Sequence, residues 1–169
     1  RERAYADRPL PIGEGQTISA PHMVAIMANE LDLDPGERTL EIGTGCGYLA
    51  AVTEEIAGVE CVYSVEYHET LAREARRTLA RLGYDDISIR IGDGHRGWPE
   101  NAPYDAVYFT CAADSFPTQV VEQVRVGGRL LAPIGTGSQW LVYAEKQPDG
   151  SLSRDRLTRV RFVQMQGPA

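Results

Sequence analysis

The sequence predicts an α/β fold in which helices cover both faces of a mostly parallel sheet. From residue 39 onward, short runs rich in β-branched residues alternate with longer amphipathic runs, which is typical of consecutive βα units. Beyond residue 136, two strand-like runs are separated only by a turn, so an antiparallel strand pair is expected at the end of the sheet. The 169 residues, 43% of them hydrophobic, suit one domain with one core.

The predicted elements follow in order along the chain. Ser19 is predicted to cap a helix that has Pro21 in its first turn and ends near Leu31. Five strands are then predicted, at 39–43, 61–66, 87–91, 104–110 and 128–134. Helices are predicted at 47–57, 68–82 and 114–124. The last two strands, 139–146 and 157–165, flank a turn formed by Pro148, Asp149 and Gly150.

Charge and composition restrict the classes of partner. Lysine and arginine number 17 against 24 for aspartate and glutamate, and the net charge of −7 disfavours a nucleic-acid substrate. No apolar run approaches the roughly 20 residues that span a bilayer, so we expect no membrane association and a cytoplasmic location. No zinc-type spacing relates the histidines to the cysteines, so we predict no metal and free thiols at Cys46, Cys61 and Cys111.

A glycine-rich loop lies between the first predicted strand of the core and its helix. Gly43, Gly45 and Gly47 alternate there, and glycine permits both a tight turn and a close approach of backbone N–H groups to a ligand. By itself, such a loop is a weak signal, and a sharp turn without a ligand explains it more often than a cofactor does.

Each of the next two strands has an acidic residue at or just after its carboxyl end. Glu66 ends the second strand, where a carboxylate can accept hydrogen bonds from both hydroxyls of a ribose. Asp93 and Gly94 come directly after the third strand, and the Asp93 side chain can accept from an exocyclic amine. Because the carboxyl ends of parallel strands meet at one edge of a sheet, these features predict a single cofactor site.

The spacing of the glycines indicates which cofactor is bound. Dinucleotide-binding proteins have GxGxxG, because a pyrophosphate must reach a helix N-terminus. Here the spacing is GxGxG preceded by Glu41, which resembles the loop of class I S-adenosylmethionine-dependent methyltransferases. That resemblance implies their Rossmann-like fold, S-adenosylmethionine as cofactor with S-adenosylhomocysteine as product, and Glu41 near the positively charged methionine end.

Four stretches together resemble the protein-L-isoaspartate O-methyltransferase family. They read GQTISAPHMVA at 15–25, LEIGTGCGY at 40–48, GDGHRGWPENAPYDAVYF at 92–109 and QVRVGGRLLAPIG at 123–135. The resemblance implies that Ser19 is the catalytic residue, at the methyl-transfer site. It also implies a set of cofactor-binding residues. Ile12, Gly13, Glu14 and Gly15 would cover the cofactor and the peptide, and Gly43, Gly45 and Gly47 would line the methionine end. Glu66 would bind the ribose, Asp93 and Gly94 would bind the adenine, and Tyr67 belongs to the same set.

The resemblance also suggests how the single expected domain is organised. An N-terminal family segment with its helix occupies 1–35, a Rossmann-like cofactor-binding core 36–135, and the C-terminal strand pair 136–169. The N-terminal helices of the family are expected to be missing before Arg1. Two segments depart from the family pattern, namely 110–117 and the tripeptide at 163–165, which reads Val-Gln-Met in place of Val-Pro-Leu. Both lie where the family meets its peptide substrate.

The implied reaction is methylation of the free α-carboxylate of L-isoaspartyl residues in damaged peptides and proteins, by a chain expected to be a monomer. Such a carboxyl has a pKa near roughly 3.5 and is ionised at neutral pH, so the reaction needs no general base. Two alternatives remain open at this point: a methyltransferase of the same fold with another acceptor, and a non-catalytic cofactor-binding paralogue that serves as an interaction module. A nicotinamide oxidoreductase is a third.

Overall fold

The chain forms two sheets in the computed structural model, which describes residues 5–167. A small antiparallel hairpin comes first, formed by β1 (Leu10–Gly13) and β2 (Gln16–Ile18). The main sheet contains β3 (Thr39–Ile42), β4 (Val62–Glu66), β5 (Ser88–Ile91), β6 (Tyr104–Phe109), β7 (Val124–Ile134), β8 (Gln139–Lys146) and β9 (Leu152–Val160).

Four α-helices connect or precede these strands: α1 (Pro21–Leu31), α2 (Tyr48–Ala57), α3 (Glu69–Leu82) and α4 (Thr118–Glu122). Two 3₁₀ helices, Gly94–Arg96 and Pro99–Asn101, lie between β5 and β6. Within residues 5–167, none of the helices has both the length and the apolar composition that a membrane crossing requires.

The strand order in the main sheet is β5-β4-β3-β6-β7-β8-β9. The first five strands in this order, β5, β4, β3, β6 and β7, are parallel to one another. Strand β8 is antiparallel to β7, and β9 is antiparallel to β8. This topology confirms the predicted α/β class with a mostly parallel sheet and an antiparallel C-terminal strand pair.

Helices pack on both faces of the sheet, as predicted. On one face, Met27 and Leu31 of α1 are fully buried against Tyr108 and Leu131. On the other face, Val120 of α4 is buried in a cluster with aromatic and aliphatic side chains of β3, β6 and β7. The sheet is therefore buried from both sides, as is typical of a parallel sheet covered by helices.

The N-terminal segment differs from the prediction in two ways. Pro21 does begin α1, but the N-cap is Ala20 without a side-chain hydrogen bond, so the prediction that Ser19 caps the helix is wrong. The hairpin before it was not predicted. Its two-residue turn has positive φ at both Glu14 (50°) and Gly15 (69°), as a type I′ turn requires.

Helix α4 is shorter than the predicted 114–124. It begins only after Pro117, since the residues before it are used for packing rather than for a helical turn. Phe116 is buried, with its ring edge-on to Phe109 at a centroid distance of 6.2 Å. Tertiary packing thus overrides a local helical pattern in this segment.

The last strand is shifted towards the N-terminus relative to the predicted 157–165. The predicted turn is present, and the Asp149 carboxylate accepts a hydrogen bond from the Ser151 backbone N–H (2.9 Å). Strand β9 follows at once and is exposed along most of its length, because it is the edge of the sheet. Without a buried face it lacks the apolar alternation by which a strand is recognised. Similarly, β7 begins at Val124 rather than at residue 128.

Candidate active site

A cleft lies at the carboxyl ends of the parallel strands, which is where open α/β sheets bind ligands. It is lined by residues at the ends of β3, β4 and β6, by the β1–β2 hairpin and by the C-terminal segment 163–166.

The three glycines of the loop after β3 have different surroundings, although all have positive φ. Gly43 and Gly45 line the cleft. A Cβ at Gly43 would collide with the Thr110 hydroxyl. Gly47 does not line this cleft, and a Cβ there would lie 2.9 Å from Cδ1 of Leu79 on α3. The first two glycines therefore shape the cleft, and the third permits close packing of α2 against α3.

Glu66 lines the cleft and holds the glycine loop in place. Its carboxylate accepts hydrogen bonds from the backbone N–H of Gly45 at Oε2 (2.8 Å) and of His68 at Oε1 (2.9 Å). The residue is only 5% exposed. Since each carboxylate oxygen can accept more than one hydrogen bond, the side chain can still accept from a ligand.

Glu41 is fully buried beneath the loop, and one of its carboxylate oxygens is unsatisfied. Oε2 accepts a hydrogen bond from the Ser64 hydroxyl (2.5 Å), whereas Oε1 has no partner within the described residues. Burial, together with the negative charge of Glu66, raises the pKa of Glu41 to about 8. The carboxyl is therefore mainly protonated at neutral pH. It borders a small cavity that is also lined by Gly45 and Ser19.

Asp93 and Gly94 have different positions relative to the cleft. Gly94 lines it, with its backbone against Ile42. The Asp93 carboxylate is held by His95, whose backbone N–H donates to Oδ1 (3.0 Å) and whose Nδ1 lies 2.7 Å from the same oxygen. Asp93 is not among the residues that line the cleft, so its assignment to the adenine stays a prediction.

Only some of the hairpin residues that were predicted to bind the cofactor border the cleft. Ile12 lines the cleft, and Gly13 faces Leu71 of α3. Glu14 and Gly15 form the exposed turn and do not line it. Tyr67, which is 47% exposed, also lines the cleft.

Ser19 lines both the small cavity beside Glu41 and a second cavity, so it lies where the two spaces adjoin. Arg159 and Arg161 also line this second cavity. The Ser19 hydroxyl makes no hydrogen bond within residues 5–167, so it is available to a ligand. Thr17 and Thr110 line the cleft, the small cavity and the second cavity alike, and thereby connect the three spaces.

Several residues that line the site were not named as site residues from the sequence, although the resemblance placed the segments 110–117 and 163–165 near the peptide substrate. Thr110 and Cys111 follow β6, and the rule that ligands bind at strand ends would have identified them. The segment 163–166 has no comparable local signal. It is held beside the end of β6 by hydrogen bonds from the Ala112 N–H to Val163 (2.7 Å) and from the Met165 N–H to Ala112 (2.8 Å). The other missed residues are His68, Leu71, Thr17, Arg159 and Arg161.

The thiols and the acidic groups of the site do not form a metal centre. Burial raises the pKa of Cys111 to about 12, so this thiol is not ionised at neutral pH. All three cysteines are free. In the part of the chain that the structure describes, no group of three or more metal-binding side chains is found.

The residues present fit S-adenosylmethionine. The unpaired oxygen of Glu41 is a suitable acceptor for an ammonium group, and Glu66 is a suitable acceptor for hydroxyl groups. Gly43 and Gly45 of the loop after β3 have no side chains, so the loop leaves room for the cofactor between these two carboxylates. The described residues that line the cleft include no lysine or arginine to pair with a phosphate group.

Comparison with known proteins agrees with this site. The model of the protein-L-isoaspartate (D-aspartate) O-methyltransferase family matches residues 1–168. Protein-L-isoaspartate O-methyltransferase 2 of Archaeoglobus fulgidus is 49% identical over 168 residues, which are 99% of this chain and 77% of the relative. The enzyme of Geobacter metallireducens is 50% identical over 98% of this chain and 76% of the relative.

Solved structures show the same similarity. A protein-L-isoaspartate O-methyltransferase structure superposes with a TM-score of 0.90 at 33% identity, and the match covers 98% of this chain and 55% of that one. A Plasmodium falciparum structure of this type, in complex with S-adenosyl-L-homocysteine, superposes with a TM-score of 0.79 at 28% identity over 98% of this chain and 83% of that one. This chain thus spans about three quarters of its curated relatives and about half of the first structure. By sequence, fold and site, the chain belongs to the protein-L-isoaspartate (D-aspartate) O-methyltransferase family, a family of S-adenosylmethionine-dependent methyltransferases.

Proposed function

We propose that this chain transfers a methyl group from S-adenosylmethionine to the free α-carboxylate of L-isoaspartyl residues in damaged proteins. The observation that carries the proposal is the position of Ser19. Its free hydroxyl lies between a small cavity bordered by Glu41 and Gly45 and a second cavity bordered by two arginines. One side fits a cationic cofactor, and the other fits an anionic acceptor.

The cofactor is proposed to occupy the cleft along the strand ends. Its methionine end would lie at Gly43 and Gly45 near Glu41, its ribose at Glu66, and its adenine towards Gly94. When bound, S-adenosylmethionine supplies an electrophilic methyl group on a positively charged sulfur. Glu66 has a further part in this arrangement, because it fixes the Gly45 backbone on which the approach of the cofactor depends.

The acceptor carboxylate is proposed to enter from the second cavity. The exposed guanidinium groups of Arg159 and Arg161 attract it there, and the Ser19 hydroxyl donates a hydrogen bond that orients it. The carboxylate is already ionised, so no residue of the chain needs to remove a proton. Ile12 and Val163 border the junction and help to exclude water, so that alignment and desolvation provide the rate enhancement.

The product of this reaction has a chemical signature. The methoxy group of an ester leaves more readily than the oxygen of a carboxylate. The backbone amide nitrogen of the following residue in the substrate therefore attacks the ester carbonyl carbon, and the methoxy group leaves with the amide proton as methanol. The succinimide that forms opens with water, partly to normal aspartate. This sequence of steps repairs the peptide without any further group of the protein.

A methyl-transfer assay with isotopically labelled cofactor tests the proposal on two peptides that differ only in isoaspartate against aspartate. We expect the isoaspartyl peptide to react at least about tenfold faster, because a misplacement of about 1 Å costs about a hundredfold in rate. The product should release methanol at mildly alkaline pH. Equal rates on the two peptides would indicate another acceptor, and a base-stable product would contradict carboxyl methylation. Cofactor binding without any turnover would indicate a non-catalytic paralogue.

We also infer that the protein works in the cytoplasm as a monomer and does not act on nucleic acid. The three free cysteines suit a reducing compartment. The net charge of −7 repels phosphate backbones. Light scattering during size-exclusion chromatography tests the oligomeric state.

A further inference from the structure

The outermost strand of the sheet carries a row of arginines on one face. Residues that lie opposite each other in an antiparallel pair share a face, and here Arg154, Arg156 and Arg159 lie opposite Ala144, Val142 and Trp140 of β8. These three partners alternate along β8 and therefore also share a face. We call Arg154, Arg156 and Arg159 the β9 arginine row.

A β-bulge makes this row possible. Arg156 and Arg159 are three positions apart, so in a regular strand their side chains would point to opposite faces. The pairing shifts between Leu141, opposite Thr158, and Val142, opposite Arg156, which leaves Leu157 without a partner. This one-residue bulge brings all three arginines to the same face, and bulges commonly redirect side chains in this way.

The guanidinium groups of the row contact aromatic rings and carry uncompensated charge. The guanidinium carbons of Arg156 and Arg159 lie 6.0 and 5.3 Å from the ring centre of Trp140. The guanidinium carbon of Arg154 lies 5.8 Å from the ring centre of Phe116. All three residues are exposed. Within residues 5–167, none of them forms an ion pair with a carboxylate. A protein with net charge −7 thus concentrates unpaired positive charge on one edge.

The row ends at the cavity proposed for the acceptor. Strand β9 is parallel to β7, so its C-terminal end lies at the cleft side of the sheet. Arg159 lines the second cavity together with Ser19, whereas Arg156 and Arg154 lie progressively farther along the strand. The row therefore extends about 15 Å away from the cavity, which is the length of four or five residues of an extended peptide.

We propose that the β9 arginine row binds an acidic segment of the substrate polypeptide that flanks the reacting residue. This inference rests on the proposed function, because it takes the second cavity as the acceptor site. Two observations identify the segment as acidic polypeptide. The positive charge of the row is complementary to an acidic segment, and the row is continuous with the second cavity, which in the proposed function receives a residue of a polypeptide. A nucleic acid offers the same charge, but the overall net charge of −7 opposes its approach.

The direction of the row makes the proposal specific. A peptide that is anchored in the cavity can place only one of its two flanks along β9. Acidic residues two to five positions away from the isoaspartate are therefore expected to improve binding on one side only. General attraction of negative charge would act on both flanks alike.

Steady-state kinetics on three isoaspartyl peptides test this. One peptide has three glutamates before the isoaspartate, one has them after it, and one has glutamines on both flanks. At about 20 mM salt we expect one acidic peptide to have a KM about three to ten times lower than the glutamine peptide, with kcat within about twofold. At about 500 mM salt the difference should disappear, because these charges are exposed.

A double variant separates the row from the catalytic machinery. Arg154→Gln/Arg156→Gln leaves Arg159 in place and should remove the KM advantage of the acidic peptide to within about twofold. Arg77→Gln/Arg81→Gln is the matched control, because it removes the same charge from exposed positions of α3 and should retain the advantage. Equal behaviour of the two variants, or no advantage for either acidic flank in the unmodified protein, would overturn the proposal.

Two further outcomes are distinguishable. If no isoaspartyl peptide is methylated, the proposed function fails, and binding of a fluorescent acidic peptide to the unmodified protein and to both variants still tests the row. Inhibition by a single-stranded oligonucleotide that depends on Arg154 and Arg156, without discrimination among the peptides, would assign the row to nucleic acid and refute our proposal.

Discussion

The buried carboxyl of Glu41 should make the stability of this protein depend on pH in a way that one substitution removes. Its pKa is raised from an ordinary value of 4.5 to about 8 by burial and by the nearby charge of Glu66. Each tenfold change in an ionisation equilibrium corresponds to about 1.4 kcal/mol, so ionising Glu41 in the folded protein costs about 5 kcal/mol more than in the unfolded chain.

The sign follows from the direction of the pKa change. Because the folded-state pKa is raised, the stabilising contribution of the protonated carboxyl is fully present below pH 4.5 and is lost as the pH rises through about 8. Glu41→Gln keeps a neutral side chain of nearly the same shape but does not titrate. Relative to this variant, the unmodified protein should therefore lose up to about 5 kcal/mol of unfolding free energy across that interval.

Urea denaturation of both proteins at several pH values measures this difference. Other titrating groups contribute to both proteins and largely cancel, so the difference should change by about 1.4 kcal/mol per pH unit between about pH 5 and 8. A difference that stays constant within about 0.5 kcal/mol would refute the reasoning, because it would mean that Glu41 is ionised at neutral pH in the folded protein.

Binding of the cofactor provides a second readout of the same carboxyl. An ammonium group opposite the unpaired oxygen of Glu41 would favour the ionised form, so at pH 6 to 7 binding should release about one proton. Calorimetry in two buffers of different ionisation enthalpy measures the release. Glu41→Gln should bind the cofactor without it.

Three further substitutions test the cleft and the proposed catalytic residue, Ser19. Gly45→Val should lower cofactor affinity more than about a hundredfold in calorimetry, because Gly45 lines the cleft and a branched side chain there would occupy space that the cofactor needs. Gly58→Val, at another positive φ but with nothing within 4 Å, is the control that should still bind. Glu66→Ala should weaken cofactor binding by about 1 to 3 kcal/mol, and affinity within about twofold of the original would remove Glu66 from the site. Ser19→Ala should reduce kcat at least about tenfold. It should change the free energy of unfolding by less than about 0.5 kcal/mol, because Ala20 and not Ser19 is the helix cap. A loss of stability with an unchanged kcat would contradict the proposed role of Ser19.

The central fold was predictable because its signals are local. The β-branched and aromatic residues of β4 and β6 mark these segments as strands, and α3 has an apolar face at helical spacing. The glycine loop after β3 and the carboxylate of Glu66 at the end of β4 were predictable for a similar reason. Parallel strands bring their carboxyl ends to one edge, whatever lies between them in the sequence.

Local patterns misled where tertiary contacts take precedence. Ser19 has the composition of a helix cap, but α1 begins one residue later and leaves its hydroxyl facing two cavities. The segment before α4 has a helical pattern, yet Phe116 is needed in the core. The position of Phe116 is favoured by contacts with residues far away in the sequence, which a local window does not contain.

By itself, the sequence determined the fold class, the order of the main-sheet strands along the chain, the cofactor loop and the family resemblance. Only the tertiary structure decided that the segment 163–166 lines the cleft, that Glu41 is buried with an unpaired oxygen, and that a bulge at Leu157 aligns three arginines. Burial, strand register and the pKa values that follow from them depend on which distant segments come together. The free energy of that assembly is distributed over many long-range contacts, so no short stretch of sequence encodes it.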